Sequence, residues 1–121
     1  MTVPTDHPAL PARAIAPDVY VAPQLTPAAM AEVARLGFRS VVNNRPDFEA
    51  GADQPTSAQL EAAARAAGLE YRHLPVPSTI QSPEDIAACA ALLDELPRPT
   101  LMFCRSGARS AKLFFAAQQA G

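Results

Sequence analysis

Three short apolar segments begin roughly 30 residues apart, which is the length of one βαβ unit. The segments start at Phe38, Leu69 and Thr100. Between them, apolar side chains recur at helical spacing, and Ser82 followed by Pro83 is typical of a helix start. Because crossovers between parallel strands are right-handed, the sequence predicts an α/β fold with a parallel central sheet and flanking helices.

The N-terminal part is predicted to hold one more strand, at residues 18–22, and a helix that starts at Thr26 and Pro27. Residues 1–17 contain four prolines, which favour an extended arm rather than a folded element. A chain of 121 residues is long enough to bury a single core. We therefore expect an N-terminal arm at residues 1–17 and one α/β domain at residues 18–121.

The composition argues against several classes of partner. The net charge is −2 and the only lysine is Lys112, so the chain lacks the positive balance that favours nucleic acid or an anionic membrane. Its longest apolar run, residues 86–93, is too short to span a bilayer. Two cysteines do not make a disulfide framework, and two histidines offer no ligand spacing for zinc. We expect a cytoplasmic protein without a metal or cofactor.

The strand that starts at Thr100 runs directly into a cysteine, Cys104, and a short polar loop. The loop residues are Arg105, Ser106, Gly107 and Ala108. Arg109 then stands at the start of a helix, where the helix N-terminus and backbone N–H groups favour an anion. Such surroundings lower the pKa of a cysteine from about 8.5 to roughly 3.5–7.5. We therefore expect Cys104 to be a thiolate nucleophile rather than a small buried core residue.

A second polar loop follows the strand that begins near Phe38, and it is expected at the same edge of the sheet. Parallel α/β sheets place their sites at the carboxyl ends of the strands. The candidates to line a pocket with the cysteine loop are Asn44, Arg45 and Asp47, and Glu49 lies in the same segment. The alternative is a solvated loop in which Asp47 caps a turn and Arg45 pairs with a neighbour.

Other chemically capable side chains are given structural roles. His73 lies inside a predicted strand, where a histidine held by its surroundings is more common than a catalytic one. Cys89 falls on the apolar stripe of the helix that starts at Ser82, so it is predicted to be a core residue. The last helix, residues 110–120, is apolar on most sides. Its covering is expected from the rest of the fold, from a second copy or from sequence after Gly121.

Three segments resemble the phosphatase-like domain of the β-lactamase-hydrolase-like family, a DUF442-type family that is also described as sulfur transferases. They are VVNNRPDFE, QPTSAQLEAAARAAGLEYRHLPV and FCRSGARSA. The resemblance implies a cysteine-dependent, dual-specificity phosphatase-like fold with the Cys104 loop as the active site. It also implies sulfide or persulfide handling, with a persulfide dioxygenase as partner, because other members are fused to one. Members continue past the position of Gly121, which leaves a truncation of this chain open.

The loop departs from that of cysteine-dependent phosphatases in two respects. Those enzymes resemble one another in a C-x5-R loop, usually preceded by histidine, whereas Cys104 to Arg109 is C-x4-R and follows Phe103. Loops of the shorter length resemble those of rhodaneses, in which the cysteine carries a sulfane sulfur. Phosphatases of this fold also place an aspartate general acid in the loop after the preceding strand. The corresponding residues 77–79 of this chain contain no carboxylate.

The missing acid favours one reaction at Cys104 over another. An alkoxide leaving group, with a pKa near that of water at about 15.7, needs a proton, and a positioned acid contributes about 10²–10⁴ in rate. A thiolate, with a pKa of about 8.5, leaves without help. The sequence therefore predicts a sulfur transferase in which Cys104 carries a persulfide. Arg109 is expected to orient the donor or acceptor, and Ser110 to donate a hydrogen bond to the sulfur.

The expected substrate is a small anionic sulfur or phosphate compound, held by the backbone N–H groups of residues 105–108. Two alternatives stay open. The first is a dual-specificity-type cysteine phosphatase that works through a phospho-cysteine. This alternative requires either Asp47 or Glu49 as the general acid, or an aryl ester as the substrate. The second is a non-catalytic anion-binding or docking domain.

Overall fold

The computed structural model describes residues 10–120, and its strands and helices follow one another in the order that the sequence predicts. The elements are β1 (Arg13–Ala16), β2 (Val19–Ala22), α1 (Ala29–Arg35), β3 (Ser40–Asn43), α2 (Ser57–Ala66), β4 (Glu70–His73), α3 (Pro83–Glu95), β5 (Thr100–Phe103) and α4 (Ala108–Ala120). Every predicted strand and helix is found, and β5 has the predicted bounds. Only β1 is additional.

Strand β5 lies at the centre of a five-stranded sheet with the order β1-β2-β5-β3-β4. It pairs in parallel with β2 on one side and with β3 on the other, and β4 pairs in parallel with β3. All four residues of β5 are buried, as expected for a strand covered on both faces. The predicted α/β fold with a parallel central sheet is therefore confirmed, and Cys104 leaves this sheet at the middle of its carboxyl edge.

Successive side chains of β5 enter two separate cores because they point to opposite faces of the sheet. Leu101 and Phe103 pack in the core that includes Met30 of α1 and Leu60 of α2. Met102 packs in the core on the other face, which is built with α3 and α4. The sheet is thus fixed from both sides, and the end of β5 has a defined position.

Residues 13–16 correct the prediction of an arm without a folded element, because they form the edge strand β1. This strand pairs antiparallel with β2 through a tight turn at Pro17 and Asp18. Leu10, just before β1, is 1% exposed and belongs to the core that contains α1 and α2. Prolines flank β1 without interrupting it, which an edge strand tolerates. Residues 1–9 of the predicted arm lie outside the described residues.

The helix start predicted at Thr26 and Pro27 is displaced, because α1 begins at Ala29 and has no side-chain cap. The predicted starts of α2 and α3 are formed by capping boxes. Thr56 Oγ1 accepts a hydrogen bond from the N–H of Gln59, whose side chain accepts one from the N–H of Thr56. Ser82 and Asp85 form the same reciprocal pair at α3, with proline at the first helical position. Both pairs satisfy N–H groups that a helix end otherwise leaves free. They therefore fix where the loop between β3 and α2 and the loop between β4 and α3 end.

Helix α4 begins at Ala108, two residues earlier than predicted, and is covered mainly by the fold itself. Leu113, Phe114 and Ala117 are buried in the core shared with α3, while Phe115 is 48% exposed. Despite this apolar character, no helix within residues 10–120 is both long and apolar enough to cross a bilayer. The apolar surface of the last helix was expected to be covered by the rest of the fold, by a second copy or by later sequence. The rest of the fold covers most of it.

We predict that Leu10→Ala lowers the free energy of unfolding by about 2–5 kcal/mol, because it leaves a cavity in a packed core. Urea unfolding followed by circular dichroism measures the change. Ile80→Ala is the matched control, since Ile80 is 70% exposed and its truncation should cost less than about 0.5 kcal/mol. Equal effects of the two substitutions would show that the segment before β1 contributes nothing to the core.

Candidate active site

Two segments at the carboxyl edge of the sheet surround a cavity of about 330 Å³. One wall is the segment from Pro77 to Gln81, between β4 and α3. The floor and the other wall are the loop after β5 and the first turn of α4, including Cys104, Arg109 and Lys112. Cys104 is 1% exposed yet lines this cavity. Its sulfur therefore lies at the bottom of a recess, within reach of a small molecule.

The Cys104 sulfur is surrounded by hydrogen-bond donors. The N–H of Gly107 lies 3.1 Å from Sγ. Burial raises the pKa of the Cys104 thiol, but the N–H and hydroxyl of Ser110 and the N–H groups of Ser106 and Gly107 outweigh burial, so the pKa falls below its ordinary value. These donors favour the charged form of the sulfur because they bind the thiolate more strongly than the thiol. The surroundings of Cys104 therefore favour the thiolate, which is the nucleophilic form of a cysteine.

The N–H groups that favour the Cys104 thiolate belong to residues 106, 107 and 110, whereas those of residues 105–108 are predicted to hold the bound anion. The third donor is Ser110, whereas the N–H of Ala108 points to the hydroxyl of Ser106 at 3.3 Å. The reason is the early start of α4 at Ala108, which places Ser110 in the first helical turn. The first N–H groups of a helix have no partner within the helix, so that of Ser110 is free to face Cys104.

Ser110 is held in place by Asn44. Its hydroxyl donates to Asn44 Oδ1 at 2.8 Å, and Asn44 Nδ2 donates to the carbonyl of Leu74 at 3.1 Å. The hydroxyl has one proton, so it donates either to Asn44 or to the Cys104 sulfur. When the sulfur is ionised, the bond to the sulfur is the stronger one because it is charge-assisted. Asn44 is fully buried and lines neither of the cavities at this edge. It is a positioning residue rather than a pocket residue.

Arg109 extends from the start of α4 to the loop that follows β3. Its Nη1 donates to the carbonyl of Val76 at 3.0 Å, and its Nη2 donates to Glu49 Oε1 at 3.1 Å. The same carboxylate oxygen accepts from Arg45 Nε at 2.8 Å. Burial raises the pKa of Glu49, but the two guanidinium groups outweigh it and hold that pKa below its usual range. Glu49 is therefore ionised and is not poised to donate a proton.

Of the three residues predicted to line a pocket, only Arg45 does so. It faces a second cavity of about 340 Å³ together with Arg105 and Arg109. Asp47 lies elsewhere, because its Oδ1 accepts a hydrogen bond at 2.7 Å from the N–H of Ser57, the first residue of α2. Asp47 therefore stabilises a helix start, which matches the structural alternative for this residue.

The residues that were given structural roles have them in the structure. His73 Nε2 lies 2.9 Å from the carbonyl oxygen of Arg45 and so ties β4 to the loop after β3. Cys89 is confirmed as a core residue, and burial raises the pKa of its thiol to about 11. Both cysteines are free. Within residues 10–120, no three His, Cys, Asp or Glu side chains are grouped so that they could hold a metal ion.

Two polar residues of the site escaped the sequence analysis. Lys112 lines the first cavity one helical turn after Arg109, a spacing that could have marked it. Gln81 Nε2 donates to the carbonyl of Arg109 at 3.1 Å and joins the opposite wall to α4. No pattern in the sequence indicates this contact, because it joins a loop residue to a helix that is distant in the sequence.

Gly107 gives the loop its tight curvature. Its φ is +93°, in the region that favours glycine. A Cβ atom there would lie 3.4 Å from the backbone of Ala22 and 3.3 Å from a guanidinium nitrogen of Arg13. The loop therefore packs closely on the ends of β1 and β2, which leaves its N–H groups directed at the sulfur.

The central strand of the parallel sheet ends at a cysteine whose pKa is lowered by neighbouring donors, and a helical arginine closes the loop that follows. The architecture is the fold of cysteine-dependent phosphatases. A family profile extends this conclusion from fold to sequence, because it matches residues 11–121. The chain belongs to the family of the phosphatase-like domain of β-lactamase hydrolase-like proteins.

Known proteins agree with this assignment. The chain is 40% identical over 81 residues to the β-lactamase hydrolase-like protein of Xylella fastidiosa, an alignment that covers 67% of this chain but 19% of that protein. The crystal structure of a candidate phosphatase from Neisseria meningitidis is 33% identical, with a TM-score of 0.74 over 80% of this chain and 68% of that one. A candidate DUF442 phosphatase from Shewanella putrefaciens is 19% identical, with a TM-score of 0.76 over 88% of this chain and 66% of that one.

We predict that Ser110→Ala raises the pKa of the Cys104 thiol, because it removes a hydroxyl donor that favours the thiolate. The rate of alkylation by iodoacetamide follows the thiolate fraction, so its midpoint should move to higher pH. Peptide mass spectrometry assigns the label to Cys104 rather than to Cys89. Ser106→Ala is the matched control, since only the backbone of Ser106 favours the thiolate. An equal midpoint in all three proteins would contradict the role of the Ser110 hydroxyl.

Proposed function

We propose that this domain hydrolyses phosphate monoesters with weakly basic leaving groups, such as aryl phosphates, through a phospho-cysteine at Cys104. The observation that carries the proposal is the position of the Cys104 sulfur, which lies at the floor of an open cavity among N–H groups that lower its pKa. The phosphatase-like family and the fold support it. The chain spans about a fifth of its curated relative, so the activity proposed is that of this domain alone.

In the proposed reaction, the Cys104 thiolate attacks the phosphorus atom of the ester. An S–P bond forms while the bond between phosphorus and the ester oxygen breaks, and its electron pair leaves with that oxygen. The loop N–H groups and the N–H groups of Arg109 that neither Val76 nor Glu49 accepts stabilise the charge on the phosphoryl oxygens. Water then cleaves the S–P bond, which releases inorganic phosphate and restores the thiolate.

The leaving group is restricted because the cavity offers it no acid. Among the described residues that line the cavity, none is Asp or Glu. Glu49 is ionised between two guanidinium groups, and Asp47 caps α2. An alkoxide, with a pKa near that of water at about 15.7, would have to leave unprotonated, whereas a phenoxide with a pKa of about 10 leaves more readily. Aryl esters are therefore the proposed substrate class.

We expect kcat on an aryl phosphate to exceed kcat on an alkyl phosphate by a factor of at least about 10². This factor is the lower end of the rate enhancement that a general acid contributes. Steady-state phosphate release from both esters measures the ratio, and Cys104→Ser should abolish turnover of each. Glu49→Gln serves as the test for a hidden acid, since it should leave the ratio as it is. Comparable rates on the two esters would show that an acid reaches the leaving group.

A second candidate function, sulfur transfer, is favoured by one specific observation. The loop from Cys104 to Arg109 contains one residue fewer than the C-x5-R loops of cysteine-dependent phosphatases. A smaller ring of N–H groups suits a single anionic sulfur, and a thiolate leaving group with a pKa of about 8.5 needs no acid. In this alternative, Cys104 attacks the outer sulfur of a persulfide, the S–S bond of the donor breaks, and a persulfide dioxygenase is the proposed partner.

Sulfur transfer predicts a covalent product that hydrolysis of an ester does not. Incubation with thiosulfate or a low-molecular-weight persulfide should add one sulfur atom to the protein, visible by intact mass spectrometry. The adduct should be lost in Cys104→Ser and kept in Cys89→Ser, because burial raises the pKa of the Cys89 thiol to about 11. An unmodified wild-type protein would remove sulfur transfer from consideration and leave the phosphatase proposal in place.

A further inference from the structure

A second cavity adjoins the one that contains Cys104. Its volume is about 340 Å³, against about 330 Å³ for the first. Both cavities are lined by Ser78, Arg105 and Arg109, so they are neighbours with a common wall. Arg45 lines only the second cavity. A molecule with one group above Cys104 can therefore extend into this space across the guanidinium groups of Arg105 and Arg109.

The second cavity carries more positive than negative charge. Three arginines line it, and Glu49 is the one carboxylate among its described lining residues. A single oxygen of Glu49 accepts hydrogen bonds from both Arg45 and Arg109, at 2.8 and 3.1 Å. The Arg105 side chain is exposed and makes no hydrogen bond or ion pair with any other residue in the range 10–120. This surplus is local, because the whole chain has a net charge of −2.

Arg45 has a side chain that is already ordered by contacts within the protein. Its side chain is only 8% exposed and is fixed by Glu49 and by Gln24 Oε1, which accepts from Nη1 at 3.0 Å. A guanidinium has five N–H donors, and these two contacts occupy Nε and one donor of Nη1. Because the side chain is already ordered, little conformational entropy would be lost when its remaining donors bind an anion. Arginine forks match the geometry of phosphate and carboxylate oxygens.

We propose that the second cavity binds a second anionic group of the substrate, so that the preferred substrates are small molecules with two anionic groups. One phosphoryl group occupies the Cys104 loop, and a second phosphate or carboxylate lies between Arg45, Arg105 and Arg109. The inference rests on the proposed function, because it assigns the first group to the loop. It also gives Arg105 the role of selecting substrates by their charge.

Binding of alkane bisphosphonates with one to four carbons between the phosphorus atoms tests this inference. Isothermal titration calorimetry compares each with the alkyl monophosphonate of the same chain length, which controls for apolar contacts. At least one bisphosphonate should bind roughly tenfold more tightly than its monophosphonate, since a hydrogen bond to a charged group contributes on this scale. In Arg105→Gln, that ratio should fall close to one.

Lys112→Gln is the matched control, because Lys112 lines only the first cavity and its loss should affect both ligands alike. Equal affinities of bisphosphonates and monophosphonates would overturn the second site while leaving the proposed function intact. An unchanged ratio in Arg105→Gln would overturn it as well. A wild-type protein that binds neither class of ligand would contradict both the second site and the anion-binding loop on which the proposed function rests.

Discussion

The hydrogen bonds that converge on the Cys104 sulfur are the interaction on which the site depends. Burial alone would keep this thiol protonated, as it does Cys89, and the donors from the loop and from Ser110 reverse that effect. They can do so because Gly107 turns the chain back over the sulfur at a φ of +93°. The two cysteines of one small domain thus have opposite pKa shifts, and only the thiol beside a helix start is suited to nucleophilic chemistry.

The loops around this sulfur are fastened to one another rather than to the sheet alone. Asn44 joins the end of β3 both to Ser110 and to the loop after β4, and Glu49 joins the loop after β3 to Arg109. Gln81 adds a contact from the third loop to the start of α4. Such links hold the groups around Cys104 in position, which for the proposed reaction is the condition for electrostatic stabilisation of a transition state. Asn44 contributes only through these links, because it lines neither cavity.

Short sequence patterns predicted the elements whose formation depends on neighbouring residues along the chain. Strand β5, the position of Cys104 and the helix starts at Thr56 and Ser82 follow from short apolar runs and capping residues, and all are found. Strand β1 was not predicted, because it is a short edge strand set between prolines and its pairing with β2 depends on a turn. Asp47 contacts the start of α2 whereas Glu49 contacts Arg45 and Arg109. This difference depends on the path of the loop, in which Phe48 has a φ of +62°. No spacing rule reports that path, nor the cavity that Arg45 and Arg105 both line.

The order of strands has a consequence for how the sheet assembles. The strand that separates β2 from β3 is the last one along the described chain, so no strand pairing joins the two halves of the sheet until residues 100–103 enter between them. Closing such long loops is entropically slow. A chain interrupted before Thr100 would leave β2 and β3 unpaired on their inner edges and would lack the Cys104 loop. Reactivity of the thiol and integrity of the sheet should therefore arise together, late in folding, as one cooperative event.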